Sequence, residues 1–294
     1  MNGPVSDCLH PILLNVSSKD EPEKEYGLTV PCGHCINCTK KRRREWTLRN
    51  ILESQYYAPE DIAFVTFTYR DEDLPLFIKS VRPPFDATKS LMPPDMKNFM
   101  KRLRRKVPYQ IRMFYVGEYG DKFGRPHYHA ILYGLRRKDW NLVDEKWQHG
   151  FVLVKPWFQE TCGYVAGYVQ KKLFGDDVYL GQIPPFLRAS QRPSIGERYF
   201  WDNVETICKQ GFIVYDGYKY TIPRIFQRKA YEAGYLPKPD LDEIQLIQND
   251  RTVSWLEKMK AQGVDSSTYL KNFAILSENE FKRMNVTRNC SEVF

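Results

Sequence analysis

The residues with the clearest chemical potential lie between Glu118 and His129, in the segment EYGDKFGRPHYH. In a β-strand, residues two apart point to the same face, so His127 and His129 can offer two imidazoles to one metal ion. If the chain turns back between Gly120 and Pro126, Glu118 lies on the neighbouring strand and adds a carboxylate. Two nitrogens and one carboxylate leave positions open for water or a phosphate oxygen. The segment therefore predicts a catalytic metal site, although an HxH pair is also common in ordinary strands.

A second set of reactive side chains lies on a helix predicted over residues 158–173, FQETCGYVAGYVQKKL. Tyr164, Tyr168 and Lys171 recur at spacings of four and three, so one helix face presents two phenols and an amine. The alternative is an aromatic stripe that packs on the core, with lysines at the surface. The histidine segment upstream favours the functional interpretation.

The N-terminal segment contains a third candidate site in the sequence PCGHCINC, which holds Cys32, Cys35 and Cys38. Two overlapping CxxC steps are typical of part of a tetrahedral zinc site, for which Cys8 or His10 is the candidate fourth ligand. His34 is also available, and a reduced turn without metal is the alternative. The chain has seven cysteines, an odd number, and no recognisable signal peptide. Both features argue against a disulfide framework and for an intracellular protein.

The charge pattern predicts a polyanionic partner. The 294 residues carry a net charge of +8, with basic runs at 40–44 and 97–106, and such clusters together with 14% aromatic residues favour nucleic acid. Solvated helix faces are the alternative. The candidate DNA-binding residues are Lys40, Lys41, Arg42, Arg43, Arg44, Lys101, Arg102, Arg104, Arg105, Arg125, Lys172 and Arg192.

The elements that must position these residues predict an α+β fold, in which helices flank an antiparallel sheet. The predicted strands are 62–69, 110–119, 127–134 and 151–155, and the predicted helices are 39–57 with Thr39 as N-cap, 94–103, 139–147 and 158–173. A loop-rich stretch follows at 174–196, then a hairpin turning at Asp216-Gly217, then short helices. We expect three domains: a Cys-rich and basic segment at 1–57, a catalytic core at 58–180 and a C-terminal extension at 181–294.

Two sequence features are missing. No window approaches the roughly 18 to 20 consecutive apolar residues of a membrane span, so we expect no membrane contact. No GxxxxGK[ST] phosphate loop occurs, so we expect no NTPase or helicase activity in this polypeptide.

The order of motifs FVTFTY, E…HYH and YVAGYVQKK resembles that of HUH-type rolling-circle replication initiators, whose sheet is similar to that of RRM domains. More narrowly, PCGHCINC, the following REW, EYGDKFGRPHYHA and YVAGYVQKK together resemble the replication initiators of gokushovirus-type microviruses, which are small single-stranded DNA phages. These motifs cover residues 8 to about 196 discontinuously. Gly167 departs from the pattern, because the family more often has a larger residue between the tyrosines.

This resemblance implies a nickase and ligase that cuts one strand of viral DNA at the origin, in the cytoplasm of the host bacterium. One tyrosine stays attached to the 5′ phosphate, a free 3′ hydroxyl remains for a host polymerase, and the second tyrosine serves when the strand is rejoined. Glu118, His127 and His129 would hold Mg²⁺ or Mn²⁺ against the scissile phosphate of unpaired DNA. Lys171, with Lys172 as the alternative, would stabilise the phenolate or the phosphate. A host helicase is implied by the missing phosphate loop.

Two other functions fit part of the pattern. A noncatalytic RRM-like nucleic-acid-binding protein explains the charge and the aromatic residues, but not the order of the histidine and tyrosine motifs. A relaxase or single-strand transposase would use the same chemistry, but the N-terminal cysteines and paired tyrosines favour the phage initiator.

Overall fold

A computed structural model of the protein describes residues 8–17, 22–78, 87–120, 124–167, 179, 182–269, 271–272 and 275. Tyr168, Lys171 and Lys172 lie outside these residues. The chain divides into two compact units, Met1–Arg42 with Pro237–Phe294 and Arg43–Leu236. The three domains expected from the motifs are a different division of the chain, and their boundaries stay predictions. Within the described ranges, every helix is too short or too polar to cross a membrane.

The helices are α1 (Ile36–Ser54), α2 (Pro93–Arg104), α3 (Asn141–Trp147), α4 (Gln159–Gly167), α5 (Glu197–Asp202), α6 (Val204–Gln210), α7 (Arg224–Glu232) and α8 (Leu241–Ala261). The strands are β1 (Ile12–Ser17), β2 (Glu25–Val30), β3 (Ile62–Thr68), β4 (Leu76–Ile78), β5 (Ala87–Lys89), β6 (Arg112–Tyr119), β7 (Pro126–Tyr133), β8 (Val152–Pro156), β9 (Phe186–Ala189), β10 (Phe212–Tyr215) and β11 (Tyr218–Thr221).

The first unit contains an antiparallel hairpin and a long helix. Strands β1 and β2 pair from Ile12 with Val30 to Ser17 with Glu25. The side-chain amide of Gln248 on α8 bonds both backbone groups of Thr29, at 2.9 and 3.1 Å. This amide therefore takes the place of a third strand along part of β2, which would otherwise expose unpaired backbone groups.

The second unit is built on a five-stranded antiparallel sheet with the order β8-β3-β7-β6-β9. Strand β7 is central and pairs with β3 and β6 along its whole length. Because side chains alternate along a strand, this register gives the sheet two distinct faces. We call the face that carries His127 and His129 the front face, and the face that carries Tyr128 the back face.

The back face is covered by helices α2 and α3. Pro93 and Pro94 open α2, where proline fits because the first N–H groups of a helix have no internal partner. Four residues at helical spacing, Met96, Phe99, Met100 and Leu103, then point into the core. Aromatic rings from strands and helix pack among them, as Phe67 does against Trp147 at a centroid distance of 5.0 Å.

The front face is covered only in part, by helices α1 and α4. Ile51 and Trp46 of α1, with Cys162 and Val165 of α4, pack on the sheet residues Ile62, Phe114, Val116, Ile131 and Tyr133. These sheet residues lie towards the end of β7 remote from its histidines. The other end of the front face is consequently available for a site.

A buried ion pair fastens α1 to the sheet and to the loop before α5. Arg112 on β6 pairs with Glu53 on α1, and Glu53 also accepts the backbone N–H of Gly196 at 2.8 Å. Gly196 has φ +75°, and a Cβ there would lie 2.7 Å from the carbonyl oxygen of Arg49. A side chain at this position would therefore clash with α1.

The sheet flanked by helices confirms the predicted fold class, but several details differ. Residues 186–189 were expected in a loop and instead form edge strand β9, because pairing with β6 supplies hydrogen bonds that four residues cannot signal alone. Thr39 is not an N-cap: α1 begins at Ile36, and the Thr39 hydroxyl donates to the Ile36 carbonyl at 2.8 Å. The C-terminal region includes the 21-residue helix α8, where only short helices were expected. The Asp216-Gly217 turn is confirmed, with φ of 49° and 74° as its type requires.

Candidate active site

Three side chains converge at the open end of the front face: Glu118, His127 and His129. Glu118 on β6 lies directly opposite His127 on β7, and His129 lies opposite Thr66 on β3. Cross-strand partners have side chains on the same face, so the register alone brings the three together. The chain reverses between the strands with a hydrogen bond from the Gly120 N–H to the Arg125 carbonyl at 2.9 Å. The predicted two-histidine, one-carboxylate group is therefore present, and we call it the triad.

The ligand atoms of the triad point at one position. Nε2 of His127 lies 2.8 Å from Oε1 of Glu118, and Nε2 of His129 lies 3.3 Å from the same oxygen. Neighbouring ligands of an octahedral ion with bonds of about 2.1 Å are about 3.0 Å apart. The two distances lie on either side of that value, so the triad is spaced as ligands of one divalent ion would be.

The second nitrogen of each imidazole has its own partner. Nδ1 of His127 lies 3.1 Å from the carbonyl oxygen of Arg125, which can only accept, so Nδ1 carries the proton. Nδ1 of His129 lies 3.0 Å from the hydroxyl of Thr66. Such contacts fix the orientation and tautomer of metal-binding histidines and leave the Nε2 lone pair for the ion.

The carboxylate of Glu118 is buried yet remains an anion. Burial raises its pKa, but hydrogen bonds from His127 and then His129 outweigh burial, and the net pKa is lowered. Its second oxygen, Oε2, is buried and has no hydrogen-bond partner among the described residues. A buried carboxylate oxygen without a partner is costly, and a bound cation with its water ligands would satisfy it. The donor set of this site thus fits a metal ion.

Tyr164 lies above the same face, on α4. Its ring is 6.1 Å from that of His129 and 6.0 Å from that of Phe64, and 41% of the residue is exposed. The position of α4 is held in part by Arg43, whose Nε donates to the carbonyl of Gly163 at 3.1 Å. The structure therefore places one of the two predicted tyrosines beside the triad. The other, Tyr168, and the predicted Lys171 and Lys172 lie outside the described residues.

The four predicted cysteines also come together, in the first structural unit. The sulfur atoms of Cys8, Cys32, Cys35 and Cys38 all lie within 4.8 Å of one another, and none of them forms a disulfide. Of the two candidates for the fourth position, Cys8 is in this cluster and His10 is not.

The predicted DNA-binding residues fall into different environments. Lys41, Arg42, Arg44 and Arg192 are exposed, whereas Lys40 and Arg43 are partly buried. On α2, which covers the back face, Arg102 donates to the carbonyls of Lys146 and Trp147 and Arg104 donates to that of Ile111, while Lys101 and Arg105 are exposed. Arg125 pairs with Asp71 and donates to the Tyr69 carbonyl at 2.7 Å. Arg102 and Arg104 thus hold the fold together, and the triad and α2 lie on opposite sides of the sheet.

Two features of the site were absent from the sequence-based expectations. Thr66 is one, because its contact with His129 depends on the register between β3 and β7. The other is a row of side chains along edge strand β8, where Phe151 is 72% and Leu153 53% exposed. Leu153 pairs with Thr66, and the Phe151 carbonyl accepts from the Thr68 N–H at 2.9 Å, so both side chains share the front face with the triad. The alternation in FVTFT and FVLV indicates two strands, but not which strands pair.

Comparison with known proteins places this fold and site in a class. Residues 62–173, which span the sheet core and the triad, match the replication-associated protein family of the ORF2 type. The replication-associated protein VP4 of Bdellovibrio phage phiMH2K is 27% identical over 237 residues, which are 72% of this chain and 70% of that protein. The replication-associated protein ORF4 of Chlamydia phage 1 is 27% identical over 229 residues, or 69% of this chain. The chain spans about half of that second relative, 54% of its length. No solved structure matches the chain.

The class is therefore that of the DNA replication-associated proteins, and the matched region is the one that holds the triad. Both relatives are phage proteins from microviruses. The chain belongs to the replication initiators of the microvirus type.

Proposed function

We propose that the protein starts replication by nicking one strand of the viral DNA at its origin, through attack of a tyrosine on a phosphodiester. The observation that carries this proposal is the exposed phenol of Tyr164 above the face that bears Glu118, His127 and His129. A nucleophile beside a cation site is the arrangement that phosphoryl transfer needs. We place the catalytic core in residues 58–180.

In the proposed step, the phenolic oxygen of Tyr164 forms a bond to phosphorus as the bond between phosphorus and O3′ breaks. The tyrosine loses its proton, and the departing O3′ takes one up as a free 3′ hydroxyl. The 5′ side of the strand stays on the protein as a phosphotyrosine. Because one phosphodiester replaces another, the reverse reaction can rejoin the strand without ATP.

Glu118, His127 and His129 would hold Mg²⁺ or Mn²⁺, which supplies positive charge for a nonbridging phosphate oxygen. The hydrogen-bonded Nδ1 atoms of both histidines keep their Nε2 atoms aimed at that position. Helix α4 keeps the phenol over the sheet, since the Gly163 carbonyl is bonded to Arg43. Tyr168 is proposed as the second nucleophile and Lys171, or Lys172, as the cation that favours the phenolate, both on the grounds of sequence spacing.

The substrate is proposed to be unpaired origin DNA, because the scissile phosphate must reach a site on the surface of a sheet. A host helicase would separate the strands and a host polymerase would extend the 3′ hydroxyl, in the cytoplasm of the bacterial host. The exposed basic residues Lys41, Arg42 and Arg44 are proposed to contact phosphates without reading sequence.

The test is formation of a covalent adduct with single-stranded oligonucleotides that tile the viral origin, in Mn²⁺ or Mg²⁺, on denaturing gels. We expect Tyr164→Phe combined with Tyr168→Phe to abolish the adduct and His127→Ala to abolish cleavage while mostly sparing DNA binding. Tyr218→Phe, at an exposed tyrosine of the β10–β11 hairpin, is the matched control and should react normally. An adduct that survives the double substitution would refute the nucleophile assignment.

The same experiment separates the alternatives. Tight binding with no adduct for any oligonucleotide, in either metal, would support a noncatalytic nucleic-acid-binding protein. Cleavage confined to plasmid transfer origins or transposon ends would support a relaxase or transposase instead.

A further inference from the structure

The four-cysteine cluster in the first structural unit takes no part in the chemistry proposed above. Its members come from three places in the chain. Cys8 precedes β1, Cys32 and Cys35 follow β2, and Cys38 lies in the first turn of α1. All four sulfur atoms are within 4.8 Å of one another although 24 residues separate Cys8 from Cys32. Unlinked thiols gathered from distant positions need a physical reason to meet.

The spacing of the sulfur atoms is that of a tetrahedral metal site. Four sulfur ligands at about 2.3 Å from a zinc ion are about 3.8 Å from one another. The sulfur atoms of Cys8 and Cys35 are 3.8 Å apart, and a disulfide would need about 2.05 Å. We propose that Cys8, Cys32, Cys35 and Cys38 bind one structural Zn²⁺ ion.

Backbone N–H groups are arranged to favour the thiolate form of these cysteines. The N–H of Cys32 donates to the sulfur of Cys8 at 3.2 Å, that of Leu9 to Cys35 at 3.4 Å, and that of Cys35 to Cys32 at 3.3 Å. Three of the four sulfur atoms thus accept a backbone hydrogen bond. Because zinc binds the thiolate and not the thiol, donors of this kind stabilise the loaded site.

The surrounding charge also suits the loaded site. Four thiolates around Zn²⁺ carry a net charge of −2, and the basic run of α1 begins two residues after Cys38. Arg42 lies beside the loop between Cys32 and Cys35: a Cβ added at Gly33 would be 3.5 Å from its guanidinium. Gly33 has φ +80°, a conformation that glycine adopts freely. Part of the basic run therefore offsets the charge of the site, in addition to any role with DNA.

The two metal sites of the chain differ in kind. Four sulfur ligands leave no open position, which is typical of structural zinc, whereas the triad has nitrogen and oxygen ligands and leaves positions for substrate. A zinc ion here would fasten the segment before β1 and the end of β2 to the start of α1. The hairpin between Cys8 and Cys32 would then be closed at its base.

The test is metal analysis of the full-length protein purified under reducing conditions without added zinc. We expect about one zinc ion per chain, bound tightly enough to survive dialysis. Cys8→Ser and Cys35→Ser should each lose most of it, and Cys208→Ser, outside the cluster, should retain it. Zinc content that is unchanged by Cys8→Ser and Cys35→Ser, or that is lost in His127→Ala, would overturn the proposal.

A second measurement does not depend on whether the serine variants fold. The wild-type protein is unloaded with a chelator and titrated with Co²⁺, whose near-ultraviolet thiolate charge-transfer band reports the number of sulfur ligands. We expect an intensity typical of four thiolates, and its loss when one equivalent of Zn²⁺ is added. A spectrum without that band, or a purified protein with the colour and iron content of an iron–sulfur cluster, would refute the zinc assignment. Neither measurement involves DNA cleavage, so the result is independent of the proposed nickase activity.

Discussion

The contact between Thr66 and His129 provides a sharp test of how the triad is held. Substitution Thr66→Val keeps the size and branching of the side chain and removes only the hydroxyl that lies 3.0 Å from Nδ1. His129 is 7% exposed, so water has little access to replace the lost partner. We expect the variant to fold and to hold its imidazole less firmly in the tautomer that leaves Nε2 for a metal.

The expected size of the effect follows from that burial. A buried polar group left without a partner costs about 1–3 kcal/mol. Changes to the hydrogen-bond partners of metal-binding histidines typically cost about 10- to 100-fold in metal affinity, which is the same range of energy. Thr66→Val should therefore raise the Mn²⁺ concentration for half-maximal binding by about 10- to 100-fold, and Thr66→Ser should restore it.

The matched control is Thr68→Val, on the same strand and the same face. The Thr68 hydroxyl donates to the carbonyl of Phe151 at 3.2 Å and to neither histidine, and it is exposed to water. Binding is measured from the free Mn²⁺ signal in electron paramagnetic resonance, with unfolding midpoints of the metal-free variants as a check on folding. Equal losses for Thr66→Val and Thr68→Val, or wild-type affinity in Thr66→Val, would refute the reasoning.

Three further outcomes follow from other parts of the second unit. Phe151→Ala should weaken binding of single-stranded DNA by about 5- to 150-fold, the usual range for loss of a base-stacking aromatic, whereas Tyr235→Ala, another exposed aromatic, should not; equal binding by both would contradict a stacking role. Arg43→Ala should slow cleavage and leave the salt dependence of binding unchanged, while Arg44→Ala should reduce the slope by about 0.7; a reduced slope for Arg43→Ala would make it a phosphate contact. Burial raises the pKa of Glu197, but hydrogen bonds from Lys229 and others outweigh burial and lower the net pKa, so its stabilising effect is present above the ordinary value of 4.5 and is lost as pH falls below it. Glu197→Gln should accordingly flatten the acid side of a chemical unfolding profile, and an unaltered profile would show that this carboxyl does not matter.

The parts of the site that the sequence predicted are those with local signals. His127 and His129 share a face because side chains alternate along any strand, and Gly120 with Pro126 marks the reversal that brings Glu118 opposite. The apolar spacing of α2 is equally local. Each of these inferences needs only a dozen neighbouring residues, and each agrees with the structure.

The parts that the sequence did not predict depend on pairing between distant segments. Thr66 is 63 residues from His129, and nothing in FVTFT shows which strand it will face. Strand β9 has four residues and becomes a strand only because β6 offers it an edge. The start of α1 was misplaced for the same reason: local capping preferences favoured Thr39, but the chain between Cys35 and Cys38 already turns into the helix.

The central position of β7 explains why one site can be both rigid and accessible. Strands β3 and β6 pair with it on both sides, so the backbone that carries His127 and His129 is fixed by hydrogen bonds in both directions. The helices α2 and α3 bury the back of the same strand through Tyr128, whose hydroxyl accepts the backbone N–H of Met92 at 2.7 Å. Rigidity thus comes from the sides and the back of the strand, and the front can stay open. Ligands of a metal ion must keep their spacing to within about 0.5 Å while a DNA strand enters and leaves. A histidine pair on an edge strand would lack one row of these bonds, and a pair beneath α1 and α4 would be closed to a phosphate.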